Sequence, residues 1–232
     1  MQVSRRIARF PIIKNLKAIK GVSHIILFGS VARGESNGNS DLDLIVVLKD
    51  NRTKRQVERI INPYRGNLIE RSTGMFKSFV CSEKDFIEQR FSSIFSTNPL
   101  MTYLLAPTSI VFKGIARDAK ILYGNDLISK WDTRIKSLDI LKAILCNFLL
   151  AVGAIPVFII DRRACLKFSA EAEKWAYINS SLLKDRRISI KDYQKRRPLF
   201  AKVRNEKYLS IFDQIIYVVS GPLRVIELYV IR

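Results

Sequence analysis

The sequence has few of the residues that build metal clusters or disulfide frameworks. Its 232 residues include one histidine and three cysteines. Cys81, Cys146 and Cys165 lie far apart, and neither a CxxC pair nor a Cys/His cluster occurs, which argues against a zinc site. An odd number of scattered cysteines is typical of a reducing compartment, so we expect a cytoplasmic protein. We expect the lone histidine, His24, to be structural because it opens an apolar run.

The sequence also lacks the glycine-rich motifs of two common nucleotide-binding folds. It has no GxxxxGK[ST] and no GxGxxG, so P-loop and dinucleotide-binding readings have no support. No signal peptide and no internal repeat is visible.

One uncharged run, Ala143–Ile160, reaches the lower length limit for a membrane span. It contains Asn147, and its Gly153–Pro156 segment predicts a break between two helices. We therefore expect a buried helix followed by a turn, and no membrane partner.

Acidic residues are scarce relative to basic ones. The chain has 21 Asp and Glu against 40 Lys and Arg, a formal net charge of +19. Such a charge favours polyanionic partners: RNA, DNA or nucleoside triphosphates. A generally basic surface with no specific partner is the alternative. The apolar fraction of 48% suits a packed core, and the length allows one large or two modest domains.

The stretch His24–Leu48 organises the chain. It opens with a β-branched apolar run to Phe28, which predicts a buried strand, and Gly29-Ser30 then predicts a tight turn. Ten residues later, Asp41-Leu42-Asp43 opens a second apolar run that also predicts a strand.

The spacing of these residues predicts a site for phosphate chemistry. Side chains alternate along a strand, so Asp41 and Asp43 share one face with Cα atoms about 6.5–7 Å apart. Two carboxylates so placed can share magnesium ions, which can clamp the reacting oxygens of a nucleotidyl transfer. Gly29 allows close approach of a phosphate, Ser30 offers a hydroxyl and an N–H, and Arg33 can neutralise phosphate charge.

This pattern resembles a known signature. Gly29-Ser30, ten residues, then Asp41-x-Asp43 is similar to the signature of the nucleotidyltransferase superfamily related to DNA polymerase β, especially the minimal nucleotidyltransferases. The resemblance covers about Val22–Asn125. A hairpin-like unit with two solvated aspartates is the alternative interpretation.

The resemblance and the later helical spacing together imply an α+β fold. We expect a nucleotidyltransferase catalytic domain over residues 1–125, built on a mixed sheet flanked by helices. From Trp131 onward apolar residues recur at helical spacing. We therefore expect an all-α bundle over residues 126–232, which can serve in binding the acceptor or a nucleic acid.

The resemblance also implies site residues and cofactors. Asp41 and Asp43 would be catalytic and would hold Mg²⁺ or Mn²⁺, with a nucleoside triphosphate, ATP, as substrate. The residues implied in nucleotide binding are Gly29, Ser30, Arg33 and Ser40.

Members of the superfamily usually carry a third carboxylate, which can act as general base. The expected position lies near Ser78, which is not a carboxylate. Glu70 is the best substitute, and we assign it as the third catalytic residue. The missing carboxylate puts activity in question, but not the fold.

Three functions remain open from the sequence. The first is metal-dependent transfer of a nucleoside monophosphate from a triphosphate to a hydroxyl on RNA or a small molecule. The second is an antitoxin-like nucleotidyltransferase that adenylylates a partner protein. The third is a catalytically reduced nucleic-acid-binding protein.

The segment Lys184–Lys207 is unusually basic, with ten basic and three acidic residues. Because Tyr193 and Phe200 are interleaved, it can hold a single strand by phosphate contacts and stacking, and we expect RNA rather than DNA. A solvated linker between helices is the alternative. The candidate nucleic-acid-binding residues are Arg186, Arg187, Lys195, Arg196 and Arg197.

Some local elements are also predicted. Met1–Lys20 predicts an amphipathic basic helix, which faces either a nucleic acid or the catalytic sheet. Ser82 predicts an N-cap. Short apolar runs predict a strand at Ser109–Phe112 and a helix at Ala116–Tyr123, ended by Gly124.

Overall fold

The computed structural model describes residues 11–35, 43–61, 79–205 and 207–230. The chain divides into two compact units. The first comprises Met1–Leu104 and Val111–Arg134, and the second comprises Leu105–Ile110 and Ile135–Arg232.

The first unit alternates short helices with the strands of one sheet. Its strands are β1 (Val22–Phe28), β2 (Asp43–Leu48), β3 (Val80–Ser82) and β4 (Lys120–Tyr123). Its helices are α1 (Pro11–Lys17), α2 (Gly29–Ala32), α3 (Lys54–Ile61), α4 (Glu83–Ile87), α5 (Phe91–Phe95), α6 (Pro99–Leu105) and α7 (Thr108–Asp118), whose first turn and the end of α6 belong to the second unit.

The strands of the described residues form a mixed sheet in the order β3-β2-β1-β4. β1 pairs antiparallel with β2 and with β4, whereas β2 pairs parallel with β3. β1 and β2 are buried almost throughout, which explains their continuous apolar sequences. This arrangement confirms the predicted α+β class with a mixed sheet.

Helices cover one face of this sheet. Ile12 and Leu16 of α1, with Val57 and Ile61 of α3, are buried in the same cluster as the inward side chains of β1 and β2. Lys14 and Lys17 remain exposed. The described part of the N-terminal segment is therefore a covering helix of the sheet, while residues 1–10 lie outside the described part.

A chain of aromatic side chains joins the later elements of the first unit. Phe79 contacts Phe28 and Phe95 edge to face, with ring centroids 5.4 and 5.7 Å apart. Trp131 packs against Phe86 and Phe112, and its indole N–H donates to the Phe86 carbonyl at 2.8 Å. These contacts fix the helices that follow β3.

Two predicted short elements are wrong. The expected strand Ser109–Phe112 belongs to helix α7, and the expected helix at Ala116–Tyr123 ends instead in strand β4. Short apolar runs fit either period, and pairing of β4 with β1 decides the outcome. The predicted N-cap is confirmed: Ser82 Oγ accepts from the Asp85 N–H at 3.1 Å.

The second unit is a helical bundle, as predicted. Its helices are α8 (Ser137–Ile160), α9 (Arg162–Leu183), α10 (Ile190–Arg196), α11 (Pro198–Arg204), α12 (Ile211–Val219) and α13 (Gly221–Val230). Small side chains, Ala151, Ala172, Ala176 and Val225, form a buried cluster where α8, α9 and α13 meet. The basic segment therefore carries helices α10 and α11 rather than a plain linker.

Helix α8 runs without a break through Gly153 and Pro156, so the predicted turn is wrong. Proline has no backbone N–H, so the Val152 carbonyl receives no helical hydrogen bond from residue 156. Both residues lie on the exposed side of the helix, where water can hydrogen-bond to this carbonyl instead.

The predicted burial of this helix is also wrong. Only 22% of its apolar window is buried inside the structure. With a mean hydropathy of 2.5, the helix is long and apolar enough to cross a membrane by length and composition. A core helix of a soluble protein can pass the same test. Its exposed apolar side chains include Leu138, Leu141, Leu145, Leu149, Val152 and Ile159.

A buried carboxylate ties four helices of the bundle together. Glu173 of α9 is fully buried and accepts from the hydroxyls of Tyr193 and Tyr217 at 2.8 and 2.9 Å. The Arg224 guanidinium of α13 donates to the same carboxylate at 2.8 Å. Burial, followed by the charge of Glu173, raises the pKa of both tyrosines, so both hydroxyls stay protonated donors.

We expect Glu173→Ala to lower the free energy of unfolding by about 3–5 kcal/mol, because the largely buried Arg224 charge and two tyrosine hydroxyls lose their hydrogen-bond partner. Urea unfolding measures this change. Glu171→Ala is the matched control: Glu171 lies on the same helix and pairs with Lys174 at the surface, so its loss should cost about 1 kcal/mol or less. Equal destabilisation by the two changes would contradict the role of Glu173.

Candidate active site

Gly29 and Asp43 meet at the edge of the sheet where β1 ends and β2 begins. The sheet register places Asp43 opposite Phe28, the last residue of β1. Gly29 follows with φ +73°, a conformation that L side chains rarely adopt. A Cβ at Gly29 would lie 2.2 Å from Asp43 Oδ2. The glycine therefore gives the Asp43 carboxylate the space it occupies.

A single helical turn follows Gly29 directly. The Arg33 N–H donates to the Gly29 carbonyl at 3.2 Å, and the Glu35 N–H donates to the Ser30 carbonyl at 2.9 Å. Val31 and Ala32 are buried and anchor the turn to the sheet. Ser30 thus lies beside Gly29 in a fixed backbone, as the sequence predicts.

Arg33 has carboxylate partners that the sequence did not indicate. Its Nε donates to Glu35 Oε2 at 3.0 Å, and its Nη1 lies 3.4 Å from Asp118 Oδ2 at the end of α7. Asp118 also accepts from Arg117 Nε at 2.9 Å. All three side chains of the Arg33–Glu35–Asp118 network are largely buried, so the network holds the turn after β1 against α7. A role for Arg33 at a phosphate stays a prediction.

Several predicted site residues lie outside the described residues. These are Ser40, Asp41 and Glu70, together with Ser78 at the position where the third carboxylate is expected. Within residues 11–35, 43–61, 79–205 and 207–230, no group of three or more His, Cys, Asp or Glu side chains could hold a metal ion. The assignments of these residues to metal, nucleotide and proton transfer stay predictions.

The residues present fit a hard divalent cation. Asp43 supplies a half-buried carboxylate, an oxygen donor of the type Mg²⁺ prefers. Gly29 has no side chain, so the Asp43 carboxylate can lie against the backbone there, and phosphate oxygens of a substrate would complete such a coordination shell.

His24 and Cys81 take structural positions near the sheet. His24 is 6% exposed and its Nδ1 lies 2.9 Å from Ser23 Oγ, and burial lowers its pKa. Burial raises the pKa of the Cys81 thiol to about 12, so it stays protonated at neutral pH.

The basic residues predicted to bind nucleic acid separate into two sets. Arg186, Arg187, Arg196 and Arg197 line one cavity of the second unit. Lys195 is exposed, does not line that cavity and pairs with Asp192 at 3.4 Å. The structure thus brings four of the five residues together.

Comparison with known proteins finds a family match within the first unit. Residues 11–91 match the family model described as a nucleotidyltransferase domain. No curated protein matches the chain. Among solved structures, the chain is similar to spectinomycin adenyltransferase AAD(9) from Enterococcus faecialis, crystallised with ATP and spectinomycin, with 14% identity, 97% of each chain covered and a TM-score of 0.45.

The family match, the mixed sheet and the Gly29–Asp43 contact agree with one another. Residues 11–91 are therefore similar to a nucleotidyltransferase domain, as the Gly29-Ser30 and Asp41-x-Asp43 pattern predicts.

Proposed function

We propose that this protein transfers a nucleoside monophosphate from a nucleoside triphosphate, ATP, to a hydroxyl acceptor, with the help of a divalent cation. The observation that carries the proposal is the contact of the Asp43 carboxylate with Gly29, inside the segment that matches the nucleotidyltransferase domain.

Each residue of the site has a part in this proposal. Asp43, with Asp41 two residues before it, would hold Mg²⁺ or Mn²⁺, which would neutralise phosphate charge when bound. Gly29 leaves its backbone open to the triphosphate, and Ser30 offers a hydroxyl and an N–H to a phosphate oxygen. The Arg33–Glu35–Asp118 network keeps this backbone in place.

The transfer needs a base for the acceptor proton. The acceptor oxygen forms a bond to the α-phosphorus as the bond to the bridging oxygen breaks, and pyrophosphate leaves. We propose that Glu70 takes the proton of the acceptor hydroxyl.

We expect Glu70→Gln to lower turnover about a hundredfold while the affinity for the triphosphate stays nearly unchanged. Steady-state kinetics and equilibrium binding on the same preparation separate the two quantities. Unchanged turnover in Glu70→Gln would show that the base comes from another residue.

For the acceptor we propose a nucleic acid, RNA rather than DNA. The net charge of +19 and the four arginines at one cavity favour a polyanion over a neutral small molecule.

Labelled triphosphates test the function and the acceptor together. The protein is incubated with each α-labelled triphosphate, Mg²⁺ or Mn²⁺, and either total RNA, protein lysate or the small-molecule fraction. We expect label on RNA from ATP. Label on a protein would favour the adenylylating alternative, and no label in any fraction would contradict the proposed transfer.

A further inference from the structure

A cavity of about 410 Å³ lies in the helical unit, where the end of α9 meets α10 and α13. Its volume is within the range of small-ligand sites and suits a ligand of about one nucleotide. Its charged lining residues are five cations and one carboxylate: Lys184, Arg186, Arg187, Arg196, Arg197 and Glu227.

The positive charge of this cavity is only partly compensated. Arg197 pairs with Glu227, the single carboxylate of the lining. Lys184 Nζ donates to the Leu228 carbonyl at 3.4 Å. Within the part of the chain that the structure describes, neither Arg187 nor Arg196 forms an ion pair with a carboxylate. The cavity therefore keeps a net positive charge that an anion can neutralise.

The walls that carry these cations are held in place. The rings of Tyr177 and Tyr193 stack with centroids 4.2 Å apart. Tyr193 donates to the buried Glu173 at 2.8 Å, and Tyr177 donates to the Ser189 carbonyl at 3.2 Å. The Arg186 N–H donates to the Ser181 carbonyl at 2.8 Å. Because the backbone is fixed, the positions from which these cations reach the cavity are set before any ligand binds.

We propose that this cavity is a phosphate-binding site for a ligand of about one nucleotide in size. Arginine is the preferred partner of phosphate because its planar guanidinium can donate two parallel hydrogen bonds. A pocket of this volume favours one phosphate-bearing group over a long strand, which needs an extended groove. The proposal goes beyond transfer at Gly29 and Asp43, because residues of the helical unit alone form the cavity.

Calorimetric titration with inorganic tripolyphosphate tests the cavity. It is done with Mg²⁺ present on the full chain carrying Asp43→Asn, so that metal-dependent binding of the anion at the Gly29–Asp43 site is weakened and the cavity dominates. We expect Arg187→Gln with Arg196→Gln to lower the affinity at least tenfold. The control, Lys191→Gln with Lys195→Gln, removes the same charge from exposed side chains that do not line the cavity, and should lower it less than about twofold.

Two results would overturn the proposal: no binding of tripolyphosphate to the Asp43→Asn chain, or equal weakening by both double variants. The second result would mean that diffuse surface charge, and not the cavity, attracts the anion. Circular dichroism and thermal melting confirm that both double variants are folded, as expected for exposed side chains.

Competition then identifies the source of the phosphate. A 5′-phosphorylated RNA decamer that displaces tripolyphosphate better than its 5′-hydroxyl counterpart would support the end of a nucleic acid strand. Displacement by AMP but by neither decamer would support a free nucleotide. Failure of all three competitors to displace tripolyphosphate would overturn a nucleotide-sized site.

Discussion

Asp43→Asn is expected to reduce nucleotidyl transfer at least about a thousandfold. The carboxylate lies against the bare backbone of Gly29 and is the described oxygen donor best placed for a divalent cation. An amide keeps the shape but removes the charge, and the lost stabilisation of phosphate charge is worth several kcal/mol, with tenfold in rate for about each 1.4 kcal/mol. Initial rates with saturating triphosphate and Mg²⁺ measure the effect.

Asp50→Asn is the matched control for this change. Asp50 follows the same strand at its far end, is exposed, and accepts the Arg52 N–H at 2.8 Å, which an amide oxygen can also do. Asp50→Asn should leave the rate unchanged, and both variants should melt close to the parent temperature. Full activity of the Asp43→Asn protein would show that Asp43 is not a catalytic residue.

Gly29→Ala is expected to abolish activity and also to destabilise the fold. The added methyl would lie 2.2 Å from Asp43 Oδ2, so either the carboxylate or the turn must move. The positive φ alone costs a non-glycine residue about 1–2 kcal/mol. We expect a loss of transfer of about a thousandfold and a fall in the free energy of unfolding of about 2 kcal/mol or more.

Gly153→Ala provides the comparison. Gly153 lies inside helix α8, and no atom lies within 4 Å of the Cβ it would gain. Alanine there should stabilise the protein by about 0.5–1 kcal/mol without changing activity. If Gly29→Ala behaved like Gly153→Ala in unfolding and in rate, the close approach of Gly29 to Asp43 would have no functional meaning.

The contact between Gly29 and Asp43 could be predicted because it depends on two neighbouring strands. A strand that ends at Phe28 and another that begins at Asp43 pair across a connection of fourteen residues, and their buried faces set the register. Gly29 and Asp43 then meet without any distant contact.

Long-range partners could not be predicted in the same way. Arg33 looks free for a phosphate in the sequence, but Asp118, 85 residues later, shares its guanidinium. Glu173 resembles any polar residue of an amphipathic helix, and only the packed bundle brings Tyr193, Tyr217 and Arg224 to it. Such contacts depend on tertiary packing, for which local periodicity carries no signal.

The arginines at the cavity could be predicted only in part. Charge counting finds the segment Lys184–Lys207, but not which side chains share a surface. The cap at Ser189 begins helix α10, and its length then carries Arg196 and Arg197 to the cavity while Lys195 points elsewhere. The spacing of basic residues alone did not separate Lys195 from its neighbours.

The most direct test of nucleotidyl transfer is to follow which phosphorus of ATP reaches the acceptor. The protein is given ATP labelled at the α-phosphorus in one reaction and at the γ-phosphorus in a parallel one, with Mg²⁺ and RNA, and the products are resolved. Transfer of a nucleoside monophosphate predicts α-label on the acceptor, γ-label in released pyrophosphate, and neither product with Asp43→Asn. γ-Label on the acceptor, or α-label on it at the same rate with Asp43→Asn, would contradict nucleotidyl transfer at this site.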